Sequence, residues 1–514
     1  VADVTPPALG QEIPPRAGLR QWAALATLVL PVLVVSIDNT ALSFAVPQLS
    51  TSLAPTAQEL LWIVDVYGLV LAGLLVTMGM LGDRVGRRLL LMVGAAGFGA
   101  VSVYAALAPD ARHLIAARVL LAIFGATLMP STLSLLRNLF LDATQRRLAL
   151  AIWATGFSGG SAIGPILGGW LLEHFWWGAI FLISVPAVLV LLVAGPFLLP
   201  ESRNPDAGRL DIPSVFLSIG AMMPMVFAIK QGVVGGLQPM TVAAFLTGAI
   251  LGGVFLRRQL TRPDPLLDLR LFVRPAFTAS VSANFFSIFA FAALMFFMTQ
   301  HLQFVDGRSP MEAAVVLIPG AAAAILAGLL AVAAAKVFAV STVIGVGLSL
   351  AVVGYAFGAM MTADSPVTLV ITIFVLVGSG AGLAETLTND VILASVPPER
   401  AGAASGISET AYELGSALGV AVLGSLLTAV YRAELQVPDG VPAQVRPDVE
   451  NMIGTAMTAA DRLPAPLAEA VRAASRTAFE QGVATTCLVG AAIMTVTTLV
   501  VWPVLRRAAP PEST

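Results

Sequence analysis

Charged residues make up only 11% of this 514-residue chain, less than half the roughly 25% usual in soluble domains. With 57% hydrophobic residues and a mean hydropathy of +0.89, that shortage excludes an ordinary soluble protein and points to a polytopic membrane protein. Cysteine is nearly absent: Cys487 alone excludes an intramolecular disulfide and a cysteine-based metal site. The three histidines, His113, His174 and His301, fall near the expected outer ends of helices and are too few for a zinc site. Neither a metal nor a cofactor is expected. A net charge of −2, with the basic residues in short runs between apolar segments, argues against a nucleic-acid partner. No G-x-x-x-x-G-K-[ST] loop occurs, which excludes ATP-driven pumping as far as sequence can. Nor does a compact His/Asp/Ser constellation mark an enzyme or a receptor. Residues 1–21 are polar and proline-rich, without a cleavable signal pattern, and read as a cytoplasmic tail.

What the chain has in abundance is long apolar runs. A span needs about 20 mostly apolar residues, and fourteen stretches qualify: 22–47, 59–81, 89–108, 112–136, 147–172, 178–199, 212–232, 239–256, 275–300, 311–332, 338–361, 366–394, 404–431 and 477–503. With the amino terminus inside, the connections that hold Arg84, Arg87, Arg88, Arg146, Arg147, Arg257 and Arg258 all fall on the cytoplasmic side, as the positive-inside rule requires. Both termini are then cytoplasmic. The segment 432–476, proline-rich between alanine-rich stretches, is expected outside, either as a short helical hairpin acting as a lid or as a passive loop.

An internal repeat organises these spans. Aligning Gly125 with Gly380 places GSAIGPILGGWLL (160–172) over GSALGVAVLGSLL (415–427), so that Gly160, Gly164 and Gly169 fall on Gly415, Gly419 and Gly424. Both copies run helix, arginine-bearing turn, glycine-rich helix in the same sense. The repeat is therefore parallel, as in transporters whose halves rock about a midplane site.

The residues able to carry chemistry are acids inside spans, which are costly and functional by default: Asp38, Asp65, Glu385, Asp390, Glu409 and Glu413. A carboxyl shielded from water favours its neutral form, so it can take up a proton on one side and release it on the other. Arg118 is the fixed positive charge deep in the first half, and it is expected to communicate with Asp38. Glu409 and Glu413 are four residues apart and share a helix face; Glu413 is favoured because Glu409 lies nearer the cytoplasmic end. Asp65 has Trp62 and Tyr67 beside it, which suit a flat aromatic cation. Phe289 and Asn284, on the phenylalanine-rich stretch 275–300, are expected to line an aromatic wall tolerant of many apolar ligands.

The turn Gly79-Met-Leu-Gly-Asp83-Arg84-Val-Gly86-Arg87-Arg88 resembles the loop between helices two and three of the major facilitator superfamily. Gly156, Gly160, Gly164-Pro165 and Gly168-Gly169 resemble that superfamily's exporter signature. Asp38 in SIDNTALSFAVPQL is similar to the acid on the first helix of its fourteen-helix drug:proton antiporters, the QacA, SmvA and LfrA type, and Asp65 to a position associated there with divalent cationic drugs. The chain departs from the pattern after Arg118, where Leu121-Ala122 stands in place of Gln-Gly, and it lacks a charged counterpart of the turn near Lys336, so a one-sided cytoplasmic latch is expected.

The resemblance, which covers nearly the whole chain, implies an all-α membrane protein of the major facilitator fold, with six-helix bundles over 22–200 and 275–505 and two extra spans in the linker 201–274; 506–514 is a cytoplasmic tail. It implies a proton-coupled exporter of lipophilic cationic or zwitterionic compounds in a bacterial inner membrane. A transporter of a specific metabolite, amino acid or lipid is the alternative. Proton coupling is expected at Asp38, Arg118, Glu409 and Glu413, and substrate at Asp65, Trp62, Tyr67, Glu385, Asn284, Phe289 and Glu413. The conformational gate is expected at Gly79, Asp83, Arg84, Gly86, Arg87, Gly164 and Pro165. The partners expected are small-molecule drugs, protons and the lipid bilayer, with the chain a monomer.

Overall fold

The structure, a computed structural model, describes residues 16–53, 55, 57–203, 211–235, 238–262, 265, 269–362, 365–397 and 401–508. Among these no strand occurs. The helices are α1 (Leu19–Ser52), α2 (Ala57–Val85), α3 (Arg87–Ala106), α4 (Ala111–Leu139), α5 (Ala143–His174), the short α6 (Ala179–Leu182) leading into α7 (Ser184–Leu198), α8 (Ile212–Gly235) and α9 (Pro239–Thr261). They continue with α10 (Pro275–Gln300), α11 (Pro310–Ala334), α12 (Val340–Gly358), α13 (Val367–Ala394), α14 (Ala401–Glu434), α15 (Arg446–Asn451), α16 (Ile453–Ala460) and α17 (Ala465–Ala508). Local chemistry places several boundaries. Asp110 and Asp142 cap α4 and α5 by accepting from the backbone N–H of His113 and Gln145 at 2.9 and 2.8 Å, and prolines open α9 and α10, where the missing N–H costs nothing.

Twelve helical stretches among the described residues are long and apolar enough to cross a membrane. All fourteen expected spans fall on helix, and the two outside that twelve are α5 and α8.

Two buried apolar clusters form the cores. One draws on residues from Ala24 to Leu199, joined by Leu393 and Ala401; the other runs from Ala279 to Leu505. The repeat read from the sequence has a direct packing consequence. On α5, a Cβ at Gly160 would lie 2.6 Å from the Ser36 Cβ of α1; on α14, a Cβ at Gly415 would lie 2.5 Å from the Phe285 carbonyl oxygen of α10. Equivalent glycines thus seat equivalent helices at a spacing any larger residue would break.

Helices α8 and α9 pack on each other, and α8 leans on α2 through a Trp62–Phe227 stack at 6.0 Å and a Thr77–Ser218 hydroxyl pair at 3.1 Å. Asp211, just before α8, ties the pair at one end by accepting from Arg258 and pairing with Arg262, each at 2.9 Å. The Arg258 hydrogen bond is the main reason that the Asp211 carboxyl is held at about 2 instead of its ordinary 3.8, with Ser214 and the charges of Arg258 and Arg262 helping. Stability from a depressed carboxyl is present above the unfolded value and is lost as pH falls through the folded one. The melting-temperature gap between the protein and Asp211→Asn in detergent is therefore expected to be full at pH 5 and to shrink steadily between about pH 4 and pH 2. A gap independent of pH would contradict this.

The segment 432–476 is a compact helical structure. Val449, Ala456, Ala459 and Ala460 pack with Ala468 and Val471 of the extended first turns of α17, and Tyr431 donates to the Val449 carbonyl at 2.8 Å.

Candidate coupling and substrate site

Three helices of the first half meet at one charge pair. Arg118 of α4 donates to Asp38 Oδ2 of α1 at 2.5 Å, with both side chains under a tenth exposed. Its Nε donates to the Ile63 carbonyl of α2 at 3.1 Å, and the Tyr67 ring lies 4.4 Å from the guanidinium carbon. The cation is thus satisfied on three sides by anion, carbonyl and ring face, as a buried charge must be. Tyr67 is fully buried, its hydroxyl without a partner among the described residues. Opposite, a Cβ at Gly125 would come within 3.0 Å of that hydroxyl.

The second half brings acids to the same region. Tyr67 lies within electrostatic reach of Glu413 as well as of Asp38 and Arg118. One turn earlier on α14, Glu409 is 4% exposed. Tyr412 stands between them in sequence, within reach of Glu385, Glu413 and Glu409, and packs its ring on Phe157 of α5 at 4.9 Å. Two linked groups result: Asp38 and Arg118 beside Tyr67, and Glu385 and Glu409 beside Tyr412, with Glu413 within reach of both tyrosines. Carboxyls so placed have the chemistry to bind either a proton or a cation.

The phenylalanines of α10 pack on one another. Phe289 is buried and stacks with Phe285 at 6.2 Å and meets Phe286 edge-on at 6.1 Å. Asn284 is 2% exposed and its amide donates to Ser408 Oγ at 3.1 Å, which in turn donates to Asn389 at 2.6 Å. This amide is engaged in tying α10, α14 and α13 together. Trp62 is half-buried against Phe227. Asp65 lies on α2 and Pro165 on α5, but their side chains are outside the described residues.

At the arginine-rich end the halves are tied shut. Asp83 of α2 accepts from the backbone N–H groups of Gly402 and Ala403 at 3.0 Å each, so it caps the first turn of α14, and it binds Arg87 at 2.7 Å. The approach depends on bare backbone, since a Cβ at Gly79 would lie 2.3 Å from the Gly402 carbonyl oxygen. Gly86, at φ 114°, makes the reversal into α3 that an L side chain resists, and Arg87 Nη1 reaches Ser202 at 3.2 Å. Arg84 sits half-buried beside them. Gly164 is buried on α5.

The latch expected to be one-sided draws on both halves. Arg146 and Arg147 of α5 grip the two oxygens of Asp390 on α13 at 2.8 and 2.9 Å. Arg137 donates to the Leu393 carbonyl, and the Ser134 and Ser405 hydroxyls meet at 3.2 Å. The counterpart of the turn is therefore Asp390, not a charge near Lys336. Sequence reasoning used Arg146 and Arg147 only as orientation markers and left Asp390 and Tyr412 without a role; Asp390's place among the intraspan acids was the available signal.

The Major Facilitator Superfamily profile matches residues 28–420. The chain is 49% identical over 493 residues to the multidrug efflux pump LfrA of Mycolicibacterium smegmatis, spanning 96% of this chain and 98% of that pump. It is 37% identical over 461 residues to the methyl viologen resistance protein SmvA of Salmonella typhimurium, spanning 90% of this chain and 93% of that protein. Among solved structures, a bacterial homologue of the human lysosomal transporter Spinster, inward-facing and unoccupied, aligns with a TM-score of 0.58 at 18% identity over 97% of this chain and all of that one. The human organic anion transporter MFSD10 aligns with the same TM-score at 13% identity, over 92% of this chain and 99% of that one. At such identities the structural likeness speaks for the fold alone.

Proposed function

This chain belongs to the major facilitator superfamily, with drug:proton antiporters as its relatives, and from that premise we propose that it is a proton-coupled multidrug efflux antiporter. It is a multi-pass membrane transporter of an all-helical fold, not an enzyme. The observation that carries the coupling is the Asp38–Arg118 pair at 2.5 Å, set in the first half within electrostatic reach of Glu413 from the second. When two bundles tilt about such a seam, the distance between the pair and the opposing acids changes. A carboxylate released from Arg118 takes a proton or a cation, and one returned to Arg118 gives it up.

In this reading the bundles are 22–200 and 275–505, α8 and α9 complete a fourteen-helix topology, and Glu409 and Glu413 share the protons with Asp38. The arginine-rich end faces the cytoplasm by the positive-inside rule, with both termini there, in a bacterial inner membrane, and one chain is the working unit. The excess of intraspan acids over one deep guanidinium favours lipophilic cations and zwitterions with a cationic amine, such as dyes, quaternary ammonium antiseptics and fluoroquinolone-like drugs. Methyl viologen, the compound in one relative's name, is an aromatic dication.

Ethidium movement in everted membrane vesicles tests this. Respiration acidifies the lumen, and the dye is expected to accumulate inside, then to leak out when nigericin collapses the pH gradient. Accumulation indifferent to nigericin would end the proton-coupled reading; no ethidium accumulation alongside gradient-driven movement of an amino acid or lipid would favour a metabolite transporter.

A further inference from the structure

A cavity of about 30 Å³ lies where α5 of the first half meets α10, α11, α13 and α14 of the second. Ile288, Phe291 and Ile325 supply apolar wall, and Glu385, Thr386 and Tyr412 supply polar groups. Thr386 is 1% exposed and its hydroxyl has no hydrogen-bond partner among the described residues, an unfavourable state for a buried polar group if nothing fills the cavity. Gly328 stands across from it: a Cβ there would lie 3.1 Å from the Thr386 hydroxyl oxygen, so the bare backbone leaves that oxygen room. No hydrogen bond or ion pair to the Glu385 carboxylate is present among the described residues, and Tyr412 lies within its electrostatic reach.

These features restrict the occupant. A positive occupant is the one that favours the ionised form of a carboxyl walled by phenylalanine and isoleucine. It must donate hydrogen bonds, because the carboxylate accepts only and the Thr386 oxygen waits for a partner. It must also be small, since a single water needs about 10–15 Å³ on this measure, which leaves room for about two such groups. A primary ammonium, one nitrogen with three N–H donors, meets all three conditions. A trimethylammonium group, with four heavy atoms and no N–H, meets only the first.

We propose that this cavity is a subsite for the primary ammonium group of a transported compound, and that Glu385 and Thr386 distinguish cations bearing N–H groups from quaternary ones. The proposal rests on reading the chain as an exporter of cationic compounds and adds a selectivity that the Asp38–Arg118 pair does not provide. Its walls come from both halves, so an ammonium seated there bridges the seam that must open during transport.

Fluorescence titration of the purified full-length protein in choline chloride, with dansylcadaverine and its N,N,N-trimethyl derivative, tests it. The unmodified protein is expected to bind the primary amine at least about tenfold more tightly, since a site built for N–H donors rejects the analogue lacking them. Glu385→Gln and Thr386→Val are each expected to bring that ratio below about threefold, while Thr386→Ser, which keeps the hydroxyl, preserves it. Melting temperatures and gel-filtration profiles identify any variant that fails to fold, and Thr386→Ser against Thr386→Val then carries the comparison. A ratio near one in the unmodified protein, meaning that the cavity holds water alone, overturns the proposal, as does failure to bind either probe. So does a ratio that survives both Glu385→Gln and Thr386→Val. A tenfold loss of amine affinity when sodium chloride replaces choline chloride would assign the cavity to an inorganic cation and also overturn it. Nigericin-sensitive ethidium movement is scored separately, so failure of the subsite and failure of the transport reading remain distinguishable.

Discussion

Asp38→Asn is expected to stop uphill ethidium export in energised vesicles while ethidium binding to the purified protein persists. The asparagine keeps the size and a hydrogen-bonding oxygen beside Arg118 but removes the charge. A buried guanidinium deprived of its anion is disfavoured by about 3–5 kcal/mol, and a bias of 3 kcal/mol shifts a two-state equilibrium by more than about a hundredfold. The protein should therefore be confined to conformations that spare Arg118, and export should fall by about two orders of magnitude or more. Arg118→Gln should be as damaging in the opposite sense, leaving Asp38 buried without a cation. The double variant separates coupling from mere support. If the pair only braces α1 against α4, the neutral combination should restore export, because replacing both partners removes the unpaired charge. If Asp38 carries the proton, export remains absent. Restored export in the double variant would remove Asp38 from the mechanism.

Breaking the Asp83 tie should have the second largest effect. Its carboxylate serves the two N–H groups that open α14 and the guanidinium of Arg87, which is 1% exposed. Asp83→Ala takes the carboxylate away from the buried Arg87, a loss of up to about 3–5 kcal/mol, and removes a helix cap worth about 1 kcal/mol. The two hydrogen bonds to Gly402 and Ala403 cross from one half to the other, so their loss falls on the state closed at the arginine-rich end and that end should open. Ser405, fully buried where α14 meets α4, reports on this. In a Cys487→Ala background, Ser405→Cys is expected to react with a membrane-permeant maleimide at least about tenfold faster once Asp83 is alanine, and ethidium export should fall in parallel. An unchanged labelling rate with normal export would show that Asp83 does not hold the end closed.

Much of this architecture was legible before any coordinates. The positions of the long helices follow from run length, and the seams between α1 and α5 and between α10 and α14 follow from glycine spacing. The candidate site was legible as an inventory of Asp38, Arg118, Glu385, Glu409 and Glu413, since ionisable groups stand out in apolar runs. The partners were less legible. Asn284 looked open to a ligand but is engaged with Ser408, and the latch looked one-sided because its other member was sought at the equivalent turn and not within a helix. The Thr386 hydroxyl gave no sequence signal at all: a threonine in a membrane helix normally bonds back to its own preceding turn, and only packing reveals that this one does not.

Sequence by itself determined that this chain lives in a membrane, is helical throughout its long runs, and repeats a glycine-seamed unit, because hydropathy and residue size act on near neighbours along the chain. The meeting of Asp38 with Arg118 was expected from their being charges deep in the first half; tertiary structure alone decided the other charge partners. Asp38 and Arg118 are 80 residues apart, Asp390 and Arg146 are 244 apart, and Asp83 and Gly402 are 319 apart. In a medium that screens charge poorly, such groups must find a partner within about 3 Å. Which partner is available depends on the helix faces that pack together, and spacing along the chain carries no record of that.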